Sequence, residues 1–331
     1  MARPRLQFDP YLSDSARWGF SLAHMAELIL PCLDAVGAQS VAEVGAFAGD
    51  LTRILVDWAA GSGTRVLAID PEPQEALTQL ELESPGLELI RQTSLVALAE
   101  IPLPDAVIID GDHNYFTVSH ELATIGARAQ GADLPLLLFH DVCWPHGRRD
   151  DYFDAGQIPP EDRHPVAGDA GGLHPGDPAV KPGALPYPRS AAHEGGARNG
   201  VLTAIEDFVA GRPDLRLVVV PAFFGLGVVW HPGISGADEL SRLLDPWDRN
   251  PILERLEASR VHHLAESHGR LVEVWQAQQR QARQEAVLRR LLQSRAFSFA
   301  ERLSRLRVRA GIAPAQSVIA KDEIRGVMAE D

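Results

Sequence analysis

Two short clusters in this chain carry residue types that could do chemistry. One is Asp110-Gly111-Asp112-His113-Asn114-Tyr115 and the other is His140-Asp141. Each follows an apolar run that reads as a strand, Asp105–Asp110 and Leu134–Phe139. The C-terminal ends of neighbouring parallel strands lie side by side, about 4.8 Å apart. Asp110, His140 and Asp141 are therefore expected to converge. Carboxylate and imidazole donors at one point could hold a hard divalent cation such as magnesium or manganese. A base for the same site is expected at His113 first and His140 second, because histidine titrates near neutral pH. The competing readings are hydrogen-bonded structural histidines, and an Asp110 that makes a cofactor or loop-capping contact with no metal.

The segment 144–198, rich in Pro, Gly, His and Asp, begins just after the second cluster. A long segment without regular structure, placed at the C-terminal end of a strand, is expected to be a substrate lid. A surface insertion is the alternative. His146, Arg148, Arg149, Tyr152 and Arg198 could grip a polar or acidic substrate there. Arg148 and Arg149 could equally pair with Asp150 and Asp151.

These clusters need a scaffold, and the rest of the chain supplies its pattern. A helix is expected over 13–37. Strands are expected at Ser40–Val44, Arg65–Asp70, Leu87–Arg91, Asp105–Asp110 and Leu134–Phe139, and helices at Leu51–Ala60, Gln74–Glu83 and Phe116–Gln130. Continuous apolar strands alternating with helices predict a doubly wound parallel α/β sheet covered on both faces. After 198 the pattern resumes with a helix at Asn199–Ala210 and strands at Leu215–Val220 and Gly225–Trp230. The short link Pro221–Phe224 makes those two strands an antiparallel hairpin. A helical pattern fills 249–296, with Leu253, Leu256, Leu264, Leu271, Val274, Leu288 and Leu291 roughly on one stripe. Between Arg280 and Arg309 nine arginines stand against two glutamates. Such a stretch reads as a dimerisation arm or packed helix, or as a contact for an anionic surface or partner.

The first strand runs into Glu43-Val44-Gly45-Ala46-Phe47-Ala48-Gly49-Asp50. Glycines at such a turn let the backbone approach a ligand and let a helix start beneath it. The dinucleotide fingerprint has glycine at the position of Phe47, so a bulky side chain there argues against a pyrophosphate and an NAD-dependent oxidoreductase. The E-V-G-x-x-x-G turn resembles motif I of class I S-adenosylmethionine-dependent methyltransferases, and the resemblance extends over residues 38–232, terminal hairpin included. It implies a Rossmann-like, seven-stranded sheet with a lid insertion and a C-terminal helical extension. It also implies a cofactor site of Glu43, Gly45, Ala46, Phe47, Gly49, Asp70, Thr93, Ser94, Asp110 and Asp112. Asp70 would take the ribose hydroxyls, with a helix N-cap as its competing role; Thr93 and Ser94 would lie at the adenine. The acids after strands four and five resemble those of metal-dependent natural-product, sugar and catechol O-methyltransferases, and D-G-D-H-x-Y resembles cephalosporin-hydroxylase-like relatives. His140 stands where that pattern has an acid, which counts against magnesium specifically and leaves manganese, iron or no metal open.

The expected organisation is a helical segment at 1–37, a cofactor-binding domain at 38–232 and a helical extension at 233–331. The expected activity is methylation of a hydroxyl on a small, natural-product or sugar-like acceptor, with S-adenosylmethionine as cofactor. A hydroxylase-like enzyme and a non-catalytic protein acting through its C-terminal arm are the alternatives. The chain has 331 residues, 45% of them hydrophobic, and a net charge of −14. This fits a soluble globular protein and disfavours nucleic acid as a partner. Two distant cysteines, Cys32 and Cys143, form no metal or disulfide framework, and no apolar run is long enough to span a membrane. A cytoplasmic homo-oligomer with no membrane partner, associating through 249–296, is expected.

Overall fold

The computed structural model describes residues 20–168, 172–181, 185–314 and 321. The chain divides into two compact units, one up to Glu266 and one from Ser267 on.

The first unit is built on seven strands. They are β1 (Ser40–Val44), β2 (Arg65–Ile69), β3 (Leu87–Ile90), β4 (Ala106–Ile109), β5 (Leu136–Phe139), β8 (Arg216–Val220) and β9 (Leu226–Trp230), with β6 (Gly172–Leu173) and β7 (Leu185–Pro186) forming a separate pair. The sheet order is β3-β2-β1-β4-β5-β9-β8. The first five strands are parallel, while β9 runs antiparallel to both β5 and β8. This is the Rossmann-like sheet closed by an antiparallel hairpin that the sequence implies.

Alternate residues of each strand enter different cores, as the period of two requires. Val41, Ala68, Ile108, Leu138 and Val228 face one core; Ala42, Leu67, Val107, Leu137 and Val229 face the other. The first core is covered by α1 (Ala26–Val36), α2 (Asp50–Ala59), α3 (Glu75–Glu83) and, after the hairpin, α7 (Ala237–Leu244). The second is covered by α4 (Ser94–Glu100), α5 (Tyr115–Arg128) and α6 (Val201–Ala210). Helices α4 and α7 do not stand out in the sequence because each is only about two turns long. Residues 20–37 and 233–244 pack into the same core as the sheet. An apolar sheet face left open to water would otherwise forfeit roughly 25 cal/mol per Å².

The helix expected over 13–37 starts within residues that lie outside those described. From Leu22 the chain forms a 3-10 turn to Met25 and then α1, which ends at Gly37 in the left-handed region (φ 65°). The long C-terminal helix is α8 (Pro251–Gln293). It stops short of 296 because the Ser294 side chain caps a second helix, α9 (Arg295–Arg309), by accepting from the Phe297 N–H. Of its expected apolar stripe, Leu256, Val274 and Leu291 are exposed, and the side chain of Leu271 lies outside those described.

The described part of the segment 144–198 is folded, not structureless. It contains 3-10 turns at Ala155–Gln157 and Pro160–Asp162, the β6–β7 pair and isolated bridges such as Asp151↔Ser190 and Ala179↔His193. Its short, proline-interrupted elements have no period to read. Buried polar groups fix it. Arg149, fully buried, donates to the carbonyls of Ala191 (2.6 Å) and Pro178 (2.9 Å) and lies 3.6 Å from Glu194. Asp150, also fully buried, accepts from the N–H groups of Tyr115 (2.8 Å) and Gly200 (2.7 Å) and from the Tyr152 hydroxyl (3.0 Å). These bonds tie the segment to the start of α5 and to the approach to α6. Replacing Arg149 by Met leaves two carbonyls and a carboxylate without their cation, at a cost of about 3 kcal/mol. Limited proteolysis of Arg149→Met is expected to cut between 155 and 197 faster than in the parent; equal cleavage rates would show that the segment is held some other way.

Candidate functional site

Strand register builds the site. Val44 pairs with Ile69 on one side and Ile109 on the other, and Ile109 pairs with Phe139. The next residue of each strand therefore joins one row. Gly45 N–H donates to the Ile69 carbonyl (2.9 Å), Asp110 N–H to Val44 (2.9 Å), and His140 N–H to Ile109 (3.0 Å). The row leaves no room beside β1. A Cβ on Gly45, whose φ is +82°, would lie 2.2 Å from the Asp110 carbonyl oxygen.

A cavity of about 650 Å³ opens over this row. Of the ten expected cofactor residues, Glu43, Gly45, Ala46, Phe47, Asp70, Thr93, Ser94, Asp110 and Asp112 line it. Gly49 does not. It is a packing glycine at the N-cap of α2 (φ 83°), where a Cβ would meet Leu77 at 3.2 Å. Asp70 draws the turn onto the end of β2: its two oxygens accept from the N–H groups of Phe47 and Glu72, each at 2.8 Å. It caps no helix, since α3 starts later, after Gln74. Asp112 accepts from the Thr117 hydroxyl and from the Phe153 N–H, each at 2.8 Å, so it anchors the inserted segment as well as lining the cavity.

Glu43 is 3% exposed, and its carboxyl accepts from the Thr52 hydroxyl at 2.6 Å. Burial pushes its pKa up to about 8, and the nearby acids Asp110, Asp50 and Asp70 add to the rise. Among the described residues lining this cavity and its neighbour, Arg189 is the one arginine or lysine. A cavity walled by carboxylates, with so little basic compensation, favours a cationic ligand.

A second cavity of about 260 Å³ adjoins the first, sharing Phe20, Gly111, Asp112, His113, Phe153 and Arg189. Asp141, His146, Asp151 and Tyr187 also line it. The His113 and His146 rings are stacked with centroids 5.4 Å apart, and Tyr187 meets His146 edge-on at 5.2 Å. Burial lowers the pKa of His146 and raises that of Tyr187. Both side chains are thus neutral near pH 7.

The structure brings Asp110, His140 and Asp141 together, with one donor atom from each lying within 4.8 Å of the others. His140 Nδ1 is 3.0 Å from Asp110 Oδ1 and 3.5 Å from Asp141 Oδ2, and its Nε2 is 2.8 Å from the Phe223 carbonyl. Because a carbonyl only accepts, Nε2 carries a proton. Burial works against a second proton on the ring and is the largest single influence, but Asp110 and Asp141 together outweigh it and hold His140 at about 10. Burial would raise Asp141, yet His140, His113 and His146 keep it below the usual carboxylate range. Asp141 also sits at φ 57°, in the left-handed region uncommon for non-glycine residues.

This donor set fits a divalent cation. The ring is anchored through Nε2–H to a backbone carbonyl and turns Nδ1 toward two carboxylates, the usual support of a metal-bound histidine. The same anchoring rules out His140 as the acceptor's base, because it is 2% exposed, has both nitrogens engaged and lines neither cavity. His113 lines both cavities, with Nδ1 3.4 Å from Asp141 Oδ2.

Four of the five expected substrate residues are used elsewhere. Arg148 pairs with Glu206 (2.7 Å), not with Asp150 or Asp151; Arg149 and Tyr152 are buried in the inserted segment; Arg198 pairs with Asp162 (2.6 Å). Of the five, His146 alone lines either of these two cavities. The segment instead contributes Phe153, Tyr187 and Arg189. Arg189 donates to the Phe153 carbonyl (2.8 Å) and pairs with no carboxylate among the described residues. No period or motif marks these three; only the folding of the segment brings Phe153 and Arg189 to one opening.

The seven-stranded sheet closes with an antiparallel hairpin. No protein-family model matches the chain, and no curated protein matches it. Among solved structures it is similar to a SAH-bound methyltransferase from Podospora anserina (13% identity, TM-score 0.41, covering 67% of this chain and 87% of that one). It is also similar to the O-methyltransferase TomG from Streptomyces achromogenes in complex with SAM (14%, 0.40, 68% and 91%), and to a methyltransferase from Geobacter sulfurreducens (12%, 0.41, 69% and 92%). At these levels the likeness carries nothing about chemistry, which rests on the chain's own residues.

The raised pKa of Glu43 has a consequence for stability. Between its ordinary value of 4.5 and about 8 the folded chain holds a proton that the unfolded chain has lost. The stability this group contributes is full below pH 4.5 and is lost as the pH rises through about 8. In thermal melts, the parent's melting temperature is expected to fall over that window more steeply than that of Glu43→Gln. Parallel pH profiles would mean that Glu43 ionises normally.

Proposed function

We propose that the chain is an S-adenosylmethionine-dependent methyltransferase acting on a hydroxyl of a small-molecule acceptor, assisted by a divalent cation at Asp110, His140 and Asp141. The observation that carries this reading is the acid-walled cavity over the Gly45 turn, with the buried Glu43 carboxyl and no lysine in its lining. S-adenosylmethionine carries both an ammonium and a sulfonium. A ligand of that charge would let Glu43 ionise and would relieve the repulsion among Asp50, Asp70 and Asp110.

The remaining residues divide the work. Asp70 keeps a free lone pair on each oxygen after holding the turn, enough to accept from a ribose diol. Glu72, exposed on the same wall, is a second acceptor that the sequence did not single out. Thr93 and Ser94 also line the cavity and are the residues expected at the adenine. Bound together, the cofactor supplies an electrophilic methyl group and the cation lowers the pKa of the acceptor hydroxyl. His113 reaches both cavities and is the residue to take the acceptor's proton. Asp141 Oδ2, 3.4 Å from its Nδ1, fixes the orientation of the ring. Phe153 and Tyr187 wall the acceptor, and Arg189 meets an anionic group on it. The second cavity's volume, about 260 Å³, favours a small acceptor or one end of a larger one.

Calorimetry tests the two halves separately. S-adenosylhomocysteine is expected to bind with micromolar affinity, with NADH inert, and Asp70→Ala is expected to weaken it at least about tenfold. No binding by folded protein would end the methyltransferase reading. A hydroxylase-like enzyme would then be favoured if the purified chain carried iron.

Manganese titration tests the cation. Asp141→Asn should cost about tenfold or more in affinity, within the range typical of altered metal sites. Cofactor binding without any manganese binding would leave a methyltransferase that works through His113 alone.

A further inference from the structure

We propose that helix α9 is a docking surface for an anionic lipid membrane, so that the chain works at a membrane surface without spanning it. No helix among the described residues is long and apolar enough to cross a membrane. The second unit nevertheless contains a helix with the makeup of one that lies on a bilayer. Phe299, Leu303 and Leu306 follow the i, i+4, i+7 spacing that puts them on one stripe, and they are 70%, 48% and 60% exposed. Arg295, Arg302 and Arg309, seven residues apart, run along one edge of that stripe, and Arg307 lies on the other. Across the helix five arginines stand against the single acid Glu301, which is taken up by Arg305 at 2.6 Å.

Charge decides the occupant. The same stripe on a second copy would bring arginine rows against each other, with no acid of α9 beside the stripe to neutralise them. Phosphate headgroups match the arginines, while the acyl region below takes Phe299, Leu303 and Leu306. The chain's own tail does not compete through the part that is described. Lys321 bonds to the Leu292 carbonyl, to Ser298 and to Glu301, none of which belongs to the stripe. A net charge of −14 keeps the chain as a whole away from anionic surfaces, so the basic helix is the part able to approach one. This inference does not depend on the methyltransferase reading.

Cosedimentation of the full chain with vesicles tests it. Vesicles containing phosphatidylglycerol are expected to bind the chain about tenfold more strongly than phosphatidylcholine vesicles, and added salt should weaken that binding. Phe299→Ser/Leu303→Ser/Leu306→Ser and Arg295→Gln/Arg302→Gln/Arg309→Gln should each lose it, with unchanged thermal melts, while Leu303→Met should retain it. Equal or absent binding to the two vesicle types overturns the proposal. Full binding by the serine variant also overturns it, because the stripe would then play no part. So does light scattering that shows a dimer dissociated by the serine variant, because a second copy would then cover the stripe.

Discussion

The candidate site depends on one constraint, the in-register ending of β1, β4 and β5. Parallel pairing aligns Val44, Ile109 and Phe139, so the chain leaves the sheet at three adjacent points. Gly45, Asp110 and His140 then form a row whose backbone N–H groups are still held by the sheet. That geometry demands glycine at 45, where the Asp110 carbonyl occupies the space of a side chain. It also brings three ionisable groups, Asp110, His140 and the following Asp141, within 4.8 Å of one another. The buried histidine between two acids is stable because each partner offsets the cost of burying the others.

A second layer of contacts keeps this row in place. His140 is anchored to the Phe223 carbonyl in the turn of the terminal hairpin. That turn carries two residues in the left-handed region, Phe223 (φ 51°) and Phe224 (φ 67°). Glu257, at the start of α8, accepts from the N–H groups of both, at 3.1 and 2.8 Å, and is itself paired with Arg260 at 2.6 Å. Arg260 in turn covers the Phe224 ring at 4.4 Å. The beginning of the C-terminal helix therefore supports the candidate metal ligands through the backbone of the hairpin.

The inserted segment adds walls to an open strand end. Its anchors are buried polar groups: Arg149 to carbonyls, Asp150 to N–H groups, and Asp112 to Phe153. A segment with a small apolar core gains its order from such bonds. Arginine and aspartate that look available for substrate are consumed in this way, while Arg189 is left facing the cavities.

Local pattern alone determined the parallel strands, most of the long helices, the glycine turn and the acids after β4 and β5. Those features depend on backbone geometry and on the period of apolar residues, which are written into neighbouring positions. The convergence of Asp110, His140 and Asp141 was legible for the same reason, since strand ends in a parallel sheet have only one arrangement. Tertiary structure decided what each polar side chain does. Gly49 supports packing, His140 is locked to a carbonyl, and Arg148, Arg149, Tyr152 and Arg198 are spent on internal partners, while Phe153, Tyr187 and Arg189 line the cavities. Those outcomes depend on partners dozens of residues away, and no local spacing encodes which of several arginines in one segment will find a buried acceptor first.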